Sequence, residues 1–180
     1  ALMLDSELIF EQIGQQGIRF FTGVPDSLLK DFCAYVSDHL PDSKHVIAAN
    51  EGNAVALAIG HYLGTGEPGL VYMQNSGIGN AVNPLLTLAD PDVYSIPVLL
   101  LIGWRGEPGH KDEPQHVKQG RIMTGLLDAM EIPWFLLPRD PDGAAETILT
   151  AGRVLRTSMG PVAIIVGAGT FERYELKSKS

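Results

Sequence analysis

The sequence predicts one α/β domain, a three-layer, doubly wound, parallel sheet of six strands with helices on both faces. Short apolar runs of strand length alternate along the chain with segments of helical period. Two of those runs, 97–104 and 161–167, are apolar without a break, as strands buried on both faces are. The 180 residues, 45% of them hydrophobic, suffice for one sizeable core and hardly for two.

The elements follow in order. Ile18-Arg19-Phe20-Phe21-Thr22-Gly23 reads as a short strand ending at glycine. Leu28, Leu29, Phe32, Cys33, Val36 and Leu40 then recur at helical spacing, with Asp26 or Ser27 as the expected N-cap. A second strand is expected at 45–49. The helix after it carries Ala54, Val55, Ala58, Ile59 and Leu63 and stops near Gly64. A third strand at 69–73 leads into a helix from Asn75 to about Leu88, which Pro84 should kink or restart. The fourth strand, 97–104, opens into a Gly/Pro-rich loop from Arg105 to Pro114. Gln119 to Met130 is helical by period, 134–137 is the fifth strand, and Asp142 is the expected cap of a helix reaching Leu155. The sixth strand, 161–167, closes the domain at about residue 170. The polar stretch 171–180 reads as a linker or tail.

Composition excludes several function classes. Thirteen basic against twenty-one acidic residues give a net charge of -8, which argues against a nucleic-acid or anionic-membrane surface. No apolar run reaches the ~20 residues of a membrane span. The single cysteine, Cys33, allows neither an internal disulfide nor a cysteine-based zinc set. It reads as an inert core residue and fits a reducing, cytoplasmic setting. No protein-held metal is expected. Gly77-Ile78-Gly79 lacks the third glycine of a dinucleotide fingerprint, and Gln74-Asn75-Ser76-Gly77-Ile78 is not a nucleophile elbow.

In a sheet of this kind ligands bind at the carboxyl ends of the strands. The residues there are Asp26-Ser27, Asn50-Glu51, Asn75-Ser76-Gly77 and Arg105 onward. On pattern alone Glu51 either complements a helix dipole, worth about 0.3–1 kcal/mol, or serves as a functional carboxylate. Glycine at 77 and 79 suits either ordinary turn chemistry or close backbone approach to a ligand. Arg105, His110, Lys111, His116, Lys118 and Arg121 crowd a short window of an acidic chain. They form either a solvated face balanced by Glu107, Asp112 and Glu113, or a local anion receptor.

Three stretches decide among these readings. Gly23-Val24-Pro25-Asp26-Ser27, Asn50-Glu51-Gly52-Asn53-Ala54 and Asn75-Ser76-Gly77-Ile78-Gly79-Asn80 resemble the pyrimidine-binding domain of thiamine-diphosphate-dependent decarboxylases. The loop Gly103-Trp104-Arg105-Gly106-Glu107-Pro108-Gly109, with Lys111 to His116, is similar to that of phosphonopyruvate decarboxylases, and next to that of sulfopyruvate decarboxylase alpha subunits. The resemblance runs from about Leu8 to Tyr174. It implies the sheet order 2-1-3-4-6-5. It implies that Glu51 is catalytic, hydrogen-bonding N1′ of the aminopyrimidine and sharing a proton with it. It also implies that Asn75, Ser76 and Gly77 flank the cofactor, and that Asp26, Ser27, Arg105, Lys111 and His116 meet a small anionic 2-oxo acid.

The Gly-Asp-Gly signature that holds diphosphate and Mg2+ in this family is absent from the 180 residues. A pyrophosphate-binding domain or subunit is therefore the expected partner, in a homo- or hetero-oligomer. Two alternatives remain at this point: another thiamine-diphosphate carboligase, and a non-catalytic module that binds a small anion.

Overall fold

The computed structural model of the protein describes residues 2–177. The described residues form one six-stranded parallel sheet in the order β2-β1-β3-β4-β6-β5, as expected. The strands are β1 (Phe20–Gly23), β2 (His45–Ile47), β3 (Gly69–Gln74), β4 (Val98–Gly103), β5 (Trp134–Leu136) and β6 (Pro161–Val166). The helices are α1 (Ser6–Gln15), α2 (Lys30–His39), α3 (Glu51–Thr65), α4 (Ile78–Pro84), α5 (Pro114–Ala129) and α6 (Pro141–Ser158).

The three central strands explain the layers. Side chains alternate across a strand, so a strand that is apolar throughout feeds a core on each face. Leu99 and Leu101 of β4, with Val162, Ile164 and Val166 of β6 and Leu70 and Tyr72 of β3, face one core. Val98, Leu100 and Ile102, with Ala163, Ile165, Val71 and Met73, face the other. The first core is covered by α1, α2 and α6 through Ile9, Phe32 and Ile148, among others. The second is covered by α3, α4 and α5 through Val55, Ala81 and Leu127. Each fully buried aliphatic side chain contributes about 1.5–3 kcal/mol.

Several local expectations change. α1 lies in a stretch that the periodic pattern left unassigned; Asp5 caps it by accepting from the Glu7 amide at 2.9 Å, and Ile9 and Ile13 bury its inner face. α2 begins at Lys30, and no side chain caps it. Asp26 instead closes a turn, its Oδ2 accepting from the Leu28 amide at 3.0 Å. α6 is capped by Asp140, not Asp142, because Pro141 suits the first helical turn. α5 likewise starts earlier, with Pro114 in its first turn. Pro84 ends α4, and the chain continues in wider π-type turns over Leu85–Ala89.

The histidines outside the loop window have packing roles. Nε2 of His45 lies 2.8 Å from the Tyr72 hydroxyl, and His61 stacks on Phe20 at 4.4 Å between ring centroids. Cys33 is buried, and desolvation pushes its thiol up to about 12, so it is inert.

The segment 171–177 lies along α2. Phe171 is buried and stacks on Phe32, the Tyr174 hydroxyl donates to Asp38 at 3.0 Å, and the Tyr174 amide donates to Asp31 at 3.0 Å. Ser178 to Ser180, the end of the expected tail, lie outside the described residues. Among the described residues no helix is long and apolar enough to cross a membrane.

Candidate active site

The chain runs from β1 to β2 on one side and then places β3 on the other side of β1. Connections diverge at such a switch point and leave a crevice beyond the carboxyl ends of the strands. Asp26-Ser27 follow β1, Asn75-Ser76-Gly77 follow β3, and Arg105 follows β4.

Glu51 is the first residue of α3. Asn50 caps the helix, its Oδ1 accepting from the Gly52 amide at 2.8 Å. The cap fixes the backbone from which the Glu51 side chain leaves. The carboxylate is half-buried, and its Oε2 accepts from Nδ2 of Asn80 on α4 at 2.8 Å. Gly77 lies directly behind it: a Cβ there would fall 2.5 Å from Cγ of Glu51 and 2.6 Å from Oε1. Glycine at 77 thus leaves room for the carboxylate in this rotamer; the close approach is to the Glu51 side chain. Gly79 lies inside α4, and a Cβ on it would meet nothing within 4 Å, so neither a turn nor a close contact within the chain demands glycine there.

Asn75 is 3% exposed, and both ends of its amide bind Arg105 backbone. Its Oδ1 accepts from the Arg105 amide at 3.0 Å and its Nδ2 donates to the Arg105 carbonyl at 2.8 Å. Asn75 therefore ties the turn after β3 to the loop after β4. Ser76 accepts from Nε2 of Gln74 at 2.7 Å, which leaves its hydroxyl hydrogen free to donate.

The loop after β4 is organised by Asp112, a residue the sequence offered only as a balancing charge. Its carboxylate accepts from Nε and Nη2 of Arg105 side on, and from the amides of Gly106 and Glu113, each at 2.7 Å. It also sits 3.0 Å from Nδ1 of His116, in the first turn of α5. The Arg105 guanidinium and these donors hold the Asp112 carboxyl far below the usual carboxylate range. Two glycines let the loop and α5 meet. Gly106 has φ +70°, and a Cβ on it would lie 2.0 Å from the His116 carbonyl oxygen. A Cβ on Gly120 would lie 1.8 Å from the Gly106 carbonyl oxygen.

Arg105 also reaches across to β1, where its Nη1 donates to Oγ of Ser27 at 2.8 Å. Arg105, Ser27 and His116 are thus brought together, with Asp26 beneath them. Asp26 is only 5% exposed, one of its oxygens has no partner, and a Cβ on Gly103 would lie 2.2 Å from the other. Burial pushes its carboxyl up from the ordinary value, and hydrogen bonds and the charges of Arg105 and His116 offset this only in part. Lys111 is exposed on the outside of the loop.

The opposite shifts of the two aspartates give a stability test. A carboxyl whose folded pKa is raised binds more protons folded than unfolded, so its penalty is full above that pKa and vanishes in acid. Asp26→Asn should therefore leave the melting temperature of the complete protein unchanged or higher at neutral pH. That difference should disappear below the ordinary carboxylate value of about 3.9. Asp112 is the reverse case: its contribution is present above that value and is lost as the pH falls. Asp112→Asn should thus lower the melting temperature at neutral pH. Melts of both variants across this range check the signs, and a clear loss for Asp26→Asn at neutral pH would contradict the assignment.

A carboxylate at a helix start, pinned by an amide on the next helix and backed by a bare glycine, suits a flat heterocycle with a ring nitrogen to bond. Residues 5–132 match the model of the thiamine pyrophosphate enzyme N-terminal TPP binding domain. The chain belongs to that family. Among its relatives, this TPP-binding domain is 42% identical to phosphonopyruvate decarboxylase of Streptomyces viridochromogenes over 127 residues, 70% of this chain. It spans 31% of that relative's length. It is 35% identical to sulfopyruvate decarboxylase subunit alpha of Methanococcus maripaludis over 163 residues, which are 91% of this chain and 94% of the subunit. Among solved structures it superposes on the thiamine diphosphate-dependent 4-hydroxybenzoylformate decarboxylase of Rhodococcus jostii RHA1 with a TM-score of 0.69. That match has 27% identity and covers 94% of this chain and 31% of that one.

Proposed function

We propose that this domain is the pyrimidine-binding half of a thiamine-diphosphate-dependent decarboxylase that converts phosphonopyruvate to phosphonoacetaldehyde and carbon dioxide. The observation that carries the reading is the Glu51 carboxylate, held from α4 at 2.8 Å and cradled against Gly77. These residues fit the cofactor: Glu51 would bond the pyrimidine ring, Gly77 would give the carboxylate room to do so, and Ser76 would offer a hydroxyl hydrogen beside it. Asn75 would keep that turn in register with the substrate loop. When bound, thiamine diphosphate supplies a nucleophilic ring carbon and an electron sink. Glu51 would hold and return a proton at the pyrimidine nitrogen.

The substrate end is a donor edge. An arginine has five N–H groups, and Asp112 and Ser27 engage three of those of Arg105. The remaining N–H groups and the free hydroxyl hydrogen of Ser27 would meet carboxylate or phosphonate oxygens, with His116 beside them. Lys111 would add charge on closure of the loop. Asp26, buried beneath, would act through Arg105 and Ser27 rather than by direct contact. The chain carries -8 overall, so attraction of a multiply charged anion has to be local.

Among the described residues no group of three metal-ligating side chains exists, so Mg2+ and the diphosphate would be held by a pyrophosphate-binding domain or subunit. That partner would cover the apolar groove lined by Ala48, Ala49, Ala56 and Leu57, the last of which is 40% exposed. A cytoplasmic setting fits the unpaired, buried Cys33. A second reading, a sulfopyruvate decarboxylase alpha subunit, is favoured by the match across 94% of that relative's length.

Steady-state kinetics of the complete enzyme with phosphonopyruvate, sulfopyruvate and pyruvate test the proposal. Phosphonopyruvate should show the highest kcat/KM. A preference for sulfopyruvate would establish the second reading, and equal efficiency with pyruvate would defeat both.

A further inference from the structure

We infer that Asn80 is the positioning residue that decides which oxygen of Glu51 faces the cofactor; this rests on the reading of Glu51 given above. Asn80 stands on α4, 29 residues along the chain from Glu51, and Nδ2 is its contact to Oε2 at 2.8 Å. An amide N–H only donates, so the oxygen it meets stays an acceptor. A proton shared between the carboxyl and the ring nitrogen therefore travels on Oε1 and returns by the same path, with no net change at Oε2.

The backbone is shaped for this contact. A Cβ at Gly52 would lie 2.6 Å from the Asn80 carbonyl oxygen, and one at Gly77 would lie 2.6 Å from Oε1 of Glu51. Bare glycines on both sides let α3 and α4 approach until the amide meets the carboxylate. Asn80 itself is exposed and belongs to neither core, so packing gives it no other evident task. Without it Glu51 is free to rotate about its side-chain bonds, and either oxygen, or neither, would face the ring.

The test compares Asn80→Ala and Asn80→Asp with Glu51→Gln in the complete holoenzyme. Asn80→Ala removes the donor, and Asn80→Asp places a second acceptor against Oε2. Exchange of the cofactor's C2 proton for deuterium should slow about ten- to a hundredfold in Asn80→Ala, the effect of losing one hydrogen bond to a charged group. It should slow further in Asn80→Asp. The KM for the 2-oxo acid and the melting temperature should hardly move. A crystal structure of the cofactor-free Asn80→Asp protein should show the Glu51 side chain turned away from α4.

Normal exchange in both Asn80 variants, with exchange lost in Glu51→Gln, would overturn the role of Asn80 and leave that of Glu51 standing. Normal exchange in Glu51→Gln would overturn the reading of Glu51 itself. If neither Asn80 variant folds, the residue is structural and the inference fails.

Discussion

Glu51→Gln should slow proton–deuterium exchange at C2 of bound thiamine diphosphate by about a hundred- to ten-thousandfold, the range that positioned acid–base groups supply. The substitution keeps length and shape. Asn50 still caps α3, because that cap uses backbone amides and not the Glu51 side chain. The rotamer that lies against Gly77 is still available. Glutamine loses one capacity, that of taking up and returning a proton. A neutral amide can bond the ring nitrogen as a donor, so cofactor affinity should fall far less than exchange. Calorimetry for affinity and quenched exchange followed by NMR separate the two effects. A variant that binds cofactor weakly but exchanges C2 normally once saturated would make Glu51 a binding residue only.

The fold was legible because its signals are local. The unbroken apolar runs of β4 and β6 have the length and composition of strands covered on both faces, and the alternation of the two cores follows from them. α1 was missed because it is short and its inward positions are few, Ile9 and Ile13, while the Asp5 cap that starts it does not stand out among polar neighbours. The α2 cap was misplaced because Asp26 and Ser27 have cap chemistry but spend it elsewhere, one in a turn and one on Arg105.

The candidate site was legible residue by residue but not in its pairings. Ser27 meets Arg105 across 78 residues, and Asn80 meets Glu51 across 29. Nothing in the spacing of side chains along a sequence encodes such contacts. Asp112 was visible as a charge in the same loop as Arg105, yet its role depends on the +70° turn at Gly106 that folds the loop back on itself. The i,i+4 spacing of Asp112 and His116 was the one local hint of that pairing.

The loop supports a second large effect. Arg105→Ala should lower kcat/KM for phosphonopyruvate about ten- to a hundredfold, the cost of one charge-assisted contact of ~1.5–3 kcal/mol, and should lower it far less for pyruvate, which lacks the second anion. Asp112→Ala should reproduce most of that loss without touching substrate. Its carboxylate fixes Nε and Nη2 of Arg105 and so aims Nη1 at Ser27. Released, the guanidinium would sample many rotamers, and the ordering entropy would fall on the binding step. If Asp112 acts through Arg105, removing it in the Arg105→Ala background should change specificity little, so the two losses will not add. The Gly106 and Glu113 amides that Asp112 also binds would be unsatisfied in both backgrounds and cancel from the cycle. Kinetics of the two single variants and the double variant on both substrates measure the coupling. Additive losses would show that Asp112 shapes the loop independently of Arg105. Equal losses for phosphonopyruvate and pyruvate would remove Arg105 from recognition of the second anion.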